Sequence, residues 1–374
     1  MKRISILALI LFVCFGSAAW GQQVVCKAHT PWTEFHMADM RRWNRCENVL
    51  NVNNVENLYK KWSHKTGRAV ESSPAVVNGV VYVGSYDNNV YALNASTGAL
   101  LWSYTTGNVV WSSPAVANGV VYVGSYDNNV YALNAKTGAK LWSYTTGGVE
   151  SSPAVANGVV YIGSEDSNVY ALNASTGALL WSYATSNQVL SSPAVANGVV
   201  YIGSLDNNVY ALDAKTGAKL WSYTTGDAVY LSSPAVANGV VYVGSEDGNV
   251  YALNATTGAK LWSYATGDSV YSSPAVANGV VYVGGENMYA LNASTGTLLW
   301  SYATGNSVYS SPAVANGVVY VGGDNGNIYA LNASTGAKLW HYTTGGAVIS
   351  SSAVANGMVY VGSKEGKVYA FGLP

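Results

Sequence analysis

One pentapeptide, Ser-Ser-Pro-Ala-Val, recurs through most of this chain, with its proline at Pro74, Pro114, Pro153, Pro193, Pro234, Pro274 and Pro312, and an eighth copy carries Ser352 in the proline's place. The copies stand 38 to 41 residues apart. A fixed period of this size belongs to solenoids and propellers, in which each repeat is one supersecondary unit that cannot bury its apolar face alone. The content of the period selects between them. Runs such as Ser112 to Ala117, Val120 to Ser125, Asn129 to Asn134 and Lys140 to Thr145 are rich in Val and Tyr and are separated by turn residues, which excludes helical repeats. Asn-Gly follows the first run in all eight copies, from Asn78-Gly79 to Asn356-Gly357. That dipeptide accepts positive φ at both central positions of a type I′ hairpin. Four antiparallel strands per period with no helix between them make a propeller blade. Strands such as Val-Val-Tyr-Val are apolar at consecutive positions, as expected where neighbouring blades cover both faces.

The expected fold class is therefore all-β: an eight-bladed β-propeller of four-stranded antiparallel blades. Ring closure is legible too. A tryptophan strand appears first at Trp62, before any repeat, and the last repeat stops at Phe371 without reaching its own tryptophan. Residues Tyr59 to His64 are expected to supply the outermost strand of the last blade, leaving no open edge between first and last.

Between the third and fourth strands the chain repeats Ala-x-Asn-x-x-Thr-Gly-x-x-x-Trp, ending at Trp102, Trp142, Trp181, Trp221, Trp262, Trp300 and Trp340. This motif resembles the tryptophan-docking motif of pyrroloquinoline-quinone-type (PQQ-like) propellers, a group that includes quinoprotein alcohol dehydrogenases and the propeller lipoprotein of the outer-membrane β-barrel assembly machine. The resemblance covers essentially all of the chain after its first residues. It implies a structural role for these indoles, each locking one blade against the next. The family usually has Asp where this chain has Asn, keeping it only at Asp213. Either side chain caps a turn. Five of these loops also spell Asn-x-Ser/Thr, starting at Asn94, Asn173, Asn254, Asn292 and Asn332, which the docking motif already explains.

At the N-terminus, Lys2 and Arg3 precede the apolar run Ile4 to Phe15, and small residues follow at Ser17, Ala18, Ala19 and Gly21. This reads as an export signal over 1–21, followed by a lead-in over 22–58 and the propeller over 59–374. No stretch is long and apolar enough to span a bilayer, so the expected location is periplasmic or extracellular. In that oxidising setting Cys26 and Cys46 are expected to form one disulfide. The formal net charge is −1, and charged residues make up 10% of the chain, which argues against nucleic acid as a partner.

No catalytic set is found. Quinoprotein dehydrogenases use adjacent cysteines, an aspartate base and calcium ligands, and none of these can be placed on this sequence. His29, His36, His64 and His341 lack metal-ligand spacing, so no metal site is expected. The hairpin acids Asp87, Asp127, Asp166, Asp206, Asp247 and Asp324 read as turn caps. Variation between near-identical blades is more informative, because positions that differ are those the scaffold leaves free. The residue three before the proline is Glu71, Trp111, Glu150, Leu190, Leu231, Tyr271, Tyr309 or, in the eighth copy, Ile349. These residues are expected to open the first strands and ring the mouth of the central channel, with Tyr86, Tyr126, Glu165, Leu205, Glu246 and Lys364 beside them. Aromatic residues supply contact area at low entropic cost. The leading expectation is a monomeric, non-enzymatic interaction or assembly scaffold that binds a protein or peptide at this mouth without a cofactor. The alternatives are a quinoprotein holding pyrroloquinoline quinone with calcium, and a glycan-binding propeller.

Overall fold

The computed structural model describes residues 31–35 and 41–374, so the signal reading over 1–21, Cys26, His29 and His36 lie outside the described residues. Eight sheets form the ring. Blade 1 comprises Ala75–Val77, Val80–Gly84, Asn89–Asn94 and Leu100–Thr105, paired antiparallel in that order, and blades 2 to 7 repeat it. The eighth blade takes Ala353–Ala355, Met358–Ser363 and Lys367–Gly372 from the C-terminus and Tyr59–Lys65 from before the first repeat. The ring thus closes as the sequence predicts. In every blade the Asn-Gly hairpin has positive φ at both residues, for example 50° at Asn118 and 78° at Gly119.

The tryptophans explain the period. Seven of the eight outer-strand indoles lie against the Thr-Gly turn of the next blade. A Cβ added to Gly138 would stand 2.7 Å from Trp102 Cε3, and Gly138 itself has φ +73°. Only glycine meets both demands. Trp102 Nε1 donates to the Ala135 carbonyl at 3.0 Å, and Tyr82 Oη donates to the same oxygen. The turn is capped by asparagine, Asn94 Oδ1 accepting from the N–H groups of Ser96 and Thr97. The same docking runs from Trp62 on Gly98 through Trp300 on Gly336. Trp340 differs. The eighth blade has no Thr-Gly turn after its third strand, so this indole packs edge-on against Phe371 and donates to the Leu58 carbonyl.

The innermost strands are shorter than the sequence suggests, for example Ala115–Ala117 instead of Ser112 to Ala117. Pro114 has no N–H for a ladder, and the preceding serines bond elsewhere. The first caps its own blade, Ser112 Oγ accepting from Gly124 N–H. The second joins a closed ring around the axis. Ser73 N–H donates to Ser113 Oγ, Ser113 to Ser152, and so on through Ser192, Ser233, Ser273, Ser311 and Ser351, which returns to Ser73. The residues three before the proline therefore sit above the strands, in the crossover between blades, and do not open the strands.

The hairpin acids do cap turns, Asp87 Oδ1 accepting from Asn89 N–H, and all but Asp166 also reach the preceding blade, where Gly67 N–H donates to Asp87 Oδ2. Asp324 is not one of them. Asn325 takes that position in blade 7, its Oδ1 accepting from Asn327 N–H, and Glu365 takes it in blade 8, accepting from Gly345 N–H.

The lead-in threads the channel. Trp32 bridges Val76 of blade 1, Thr33 O accepts from Val116 of blade 2, and Glu34 Oε2 accepts from Val155 of blade 3. The chain then meets the far side, where Arg41 O accepts from Val276 and Trp43–Asn44 pairs in parallel with Val314 and Ala315. Arg42 is fully buried, donating to the carbonyls of Phe35, Pro312, Ser311 and Ser352 and stacking on Phe35. Burial lowers its pKa to about 9 and raises that of Glu34 to about 8. Cys46 is disulfide-bonded; its expected partner, Cys26, lies outside the described residues. Among the described residues no helix is long and apolar enough to cross a membrane.

Candidate binding site at the channel mouth

The ends of the channel differ because the loops that reach them differ. One end receives the Asn-Gly hairpins of all eight blades and the docking turns of the first seven, which differ little from one another. The other receives the second hairpin and the crossover between blades, where the variation falls. All eight residues singled out in the sequence, Glu71, Trp111, Glu150, Leu190, Leu231, Tyr271, Tyr309 and Ile349, line one cavity of about 80 Å³ at this second end. The serine ring lies beneath them, and Phe35 of the lead-in forms the floor. The channel is thus a blind well, a feature that sequence reading missed because the lead-in has no repeat copy with which to compare it.

The wall carries two aromatic groups. In blades 1 and 2, Trp111 meets Tyr86 edge-on at 5.7 Å and stacks with Tyr126 at 6.4 Å. In blades 5 to 7, Tyr230 meets Tyr271 at 5.8 Å and Tyr271 meets Tyr309 at 5.4 Å. Ring order sets Trp111 of blade 2 opposite Tyr271 of blade 6. Tyr230 was missed in the sequence. It follows Val229 as Trp111 follows Val110, and Leu231 is the inserted residue that makes this period the longest; the 41-residue spacing was the available signal. Tyrosine usage supports a distinct role for the mouth. Of 29 tyrosines, 23 occupy three repeated strand positions, and of the others all but Tyr59 stand at this mouth.

Carboxylates complete it. Tyr86 Oη donates to Glu71 Oε2 at 3.1 Å, and Lys364 Nζ lies 3.6 Å from Glu71 Oε1. Burial and the Glu71 carboxylate together hold the Tyr86 hydroxyl well above its usual pKa. Glu150 is only 9% exposed, and its Oε2 has no hydrogen-bond partner. Burial pushes its pKa up to about 7, with the carboxylates of Glu165 and Glu71 adding to the effect. Of the propeller's own carboxylates, only Asp213 sits in a docking turn; the rest are on the mouth face. Lys136, Lys140, Lys215, Lys219, Lys260 and Lys338 lie in the docking turns and outer strands.

Among the described residues no group of three or more His, Cys, Asp or Glu could hold a metal ion, and Cys46 lies in the lead-in. The central cavity is about 80 Å³, and a recess of about 520 Å³ opens beside it on the same face, lined by Tyr309 with Glu286, Asn306, Ser307 and Asp324. A larger recess of about 690 Å³ opens on the other face, but Asn78, Gly79, Ser96 and Asn356, which belong to the repeated turns, form much of its lining.

Ring, blades and docked indoles define a PQQ-like, tryptophan-docking β-propeller. The chain belongs to the family described as "Beta-alanine-activating enzyme, beta-propeller", whose model matches residues 47–239. A second model, "Outer membrane protein assembly factor BamB", matches residues 229–308 and 269–373. The fold is similar to that of BamB from Moraxella catarrhalis, at 21% identity and a TM-score of 0.74 over 84% of this chain and 100% of that one. It is also similar to quinohemoprotein alcohol dehydrogenase from Comamonas testosteroni, at 18% identity and a TM-score of 0.81 over 92% of this chain and 81% of that one. A europium-containing methanol dehydrogenase gives 16% identity and a TM-score of 0.82 over 93% and 98% of the two chains. No curated protein matches in sequence.

Proposed function

We propose that this protein is an exported, monomeric, non-enzymatic propeller that serves as an interaction or assembly scaffold and engages a protein or peptide at the channel mouth. The observation that carries this reading is the placement of the aromatic residues that the scaffold does not need. Tyr86, Trp111, Tyr126, Tyr230, Tyr271 and Tyr309 gather at one end of the ring. Clustered aromatic anchors are the usual centres of binding energy at interfaces. The likeness to a BamB-type propeller supports a scaffold. The likeness to quinoprotein dehydrogenases is one of fold.

The test is site-specific photo-crosslinking in the native cell envelope. A benzophenone side chain in place of Tyr309 should give a discrete adduct to a protein partner. The same group in place of Leu220, a 52% exposed rim residue beside a docked indole, should give none. Adducts from Leu220 and none from Tyr309 would move the working surface to the rim.

A further inference from the structure

The mouth also has a defined chemistry. On its wall is one orphaned carboxylate oxygen, Glu150 Oε2, on a side chain that is nine-tenths buried and lines the well. A buried charged group without a partner is costly, and no side chain on this wall fills the role, since the nearby Lys364 lies against Glu71. The ring of serine hydroxyls is immediately below. Each Oγ accepts one backbone N–H from the preceding blade, which leaves a second lone pair on each hydroxyl and, except at Ser233, whose Oγ donates to the Leu231 carbonyl, a rotatable proton. Around the well, at the positions equivalent to Glu150 in other blades, stand Trp111, Tyr271 and Tyr309. A carboxylate, hydroxyl acceptors and aromatic rings around one narrow well are jointly suited to a cation on a slender stem.

We propose that the mouth receives a single alkylammonium group, in the form of a lysine side chain of the partner, which donates to Glu150 Oε2 and to the serine ring while its methylene stem lies between the aromatic walls. Ammonium suits the well better than guanidinium. The latter uses a planar fork and two parallel acceptors, whereas an ammonium is a compact charge with three rotatable donors. The well shows one orphaned carboxylate oxygen and a volume of about 80 Å³. The acidic character of the mouth face would draw such a group in. This inference rests on the mouth being the working face and adds the chemistry of what enters it.

The experiment is calorimetric titration of the full mature chain with the peptide acetyl-Gly-Gly-Lys-Gly-Gly-amide, its Nε-acetyl-lysine form, its glutamate counterpart and n-pentylamine. The lysine peptide should bind saturably, while the acetylated and glutamate peptides should not. Glu150→Gln should weaken binding by roughly thirtyfold, the scale for removing one member of a buried charge pair. Glu246→Gln, on the same face but outside the cavity lining, should change it by less than about twofold. Binding of pentylamine equal to that of the peptide keeps the ammonium site and moves its source to a free amine. Equal binding of the lysine and acetyl-lysine peptides would overturn the proposal, as would calcium binding that depends on Glu150 without any peptide binding. If Tyr309 crosslinks a partner whose binding is unchanged by Glu150→Gln, the ammonium site falls and the scaffold reading stands; if neither occurs, both fall.

Discussion

Gly119 and Gly138 separate two costs that are usually confounded. Both have nearly the same backbone, φ +78° and +73°, but a Cβ on Gly119 would meet nothing within 4 Å, while one on Gly138 would press into Trp102 at 2.7 Å. Gly119→Ala therefore reports only the left-handed strain, about 1–2 kcal/mol. Gly138→Ala adds the displacement of an indole that Ala135 O holds at 3.0 Å and Tyr82 backs at a centroid distance of 5.9 Å. Overpacking of this kind costs about 1–3 kcal/mol, and a strained or lost indole hydrogen bond about 1 kcal/mol more. Gly138→Ala should thus cost about 2–4 kcal/mol more than Gly119→Ala, measured as urea midpoints at equal m-value. In a Trp102→Ala background the two alanines should converge, because the obstacle is gone. Equal penalties in the wild-type background would refute the reading that docked indoles lock the blades.

Three further outcomes follow from the same structure. A chain starting after Lys65 loses the closing strand and the lead-in that threads the channel and should melt well below the full chain by circular dichroism; equal stability would contradict ring closure by that strand. Glu150 and Glu34 have folded-state pKa values raised from 4.5 to about 7 and about 8, so the folded state holds their protons more tightly than the unfolded one. Their stabilisation is complete below about pH 4.5 and is lost as pH rises through 7 to 8, on the order of 3 kcal/mol for Glu150 and about 5 kcal/mol for Glu34. Glu150→Gln should shrink the fall in urea midpoint between pH 5 and pH 8, and an undiminished fall would contradict the assigned burial. Titration with pyrroloquinoline quinone and calcium should change neither absorbance nor melting temperature; saturable binding would revive the quinoprotein reading.

What could be read in the sequence was whatever repetition made redundant. Eight copies of Asn-Gly and of the Thr-Gly to Trp spacing fix hairpins, blades and docking, and the unpaired tryptophan at Trp62 fixes the closure. Variation between copies also found the mouth, because Glu71, Trp111, Glu150 and their counterparts depart from an otherwise uniform pattern. What escaped lay where the period breaks. Tyr230 was hidden by the insertion of Leu231, and a slip of one residue put Asp324 where Asn325 belongs. The lead-in, which fills the channel through Trp32, Phe35 and the buried Arg42, is irregular and satisfies its backbone against the inner strands of other blades. Nothing local in its sequence signals those partners. Trp340 has the docking motif but not the docking surface: it meets Phe371 and the Leu58 carbonyl in place of a Thr-Gly turn.

The most direct measurement is of the aromatic mouth itself. Trp111, Tyr271 and Tyr309 line the well but sit above the blade sheets, so replacing all three with alanine should leave the melting temperature within about 2 °C of wild type, as expected for positions outside the core. The same variant should lose capture of the partner identified by crosslinking. Retained capture at wild-type affinity would contradict the claim that this end of the ring is the working face.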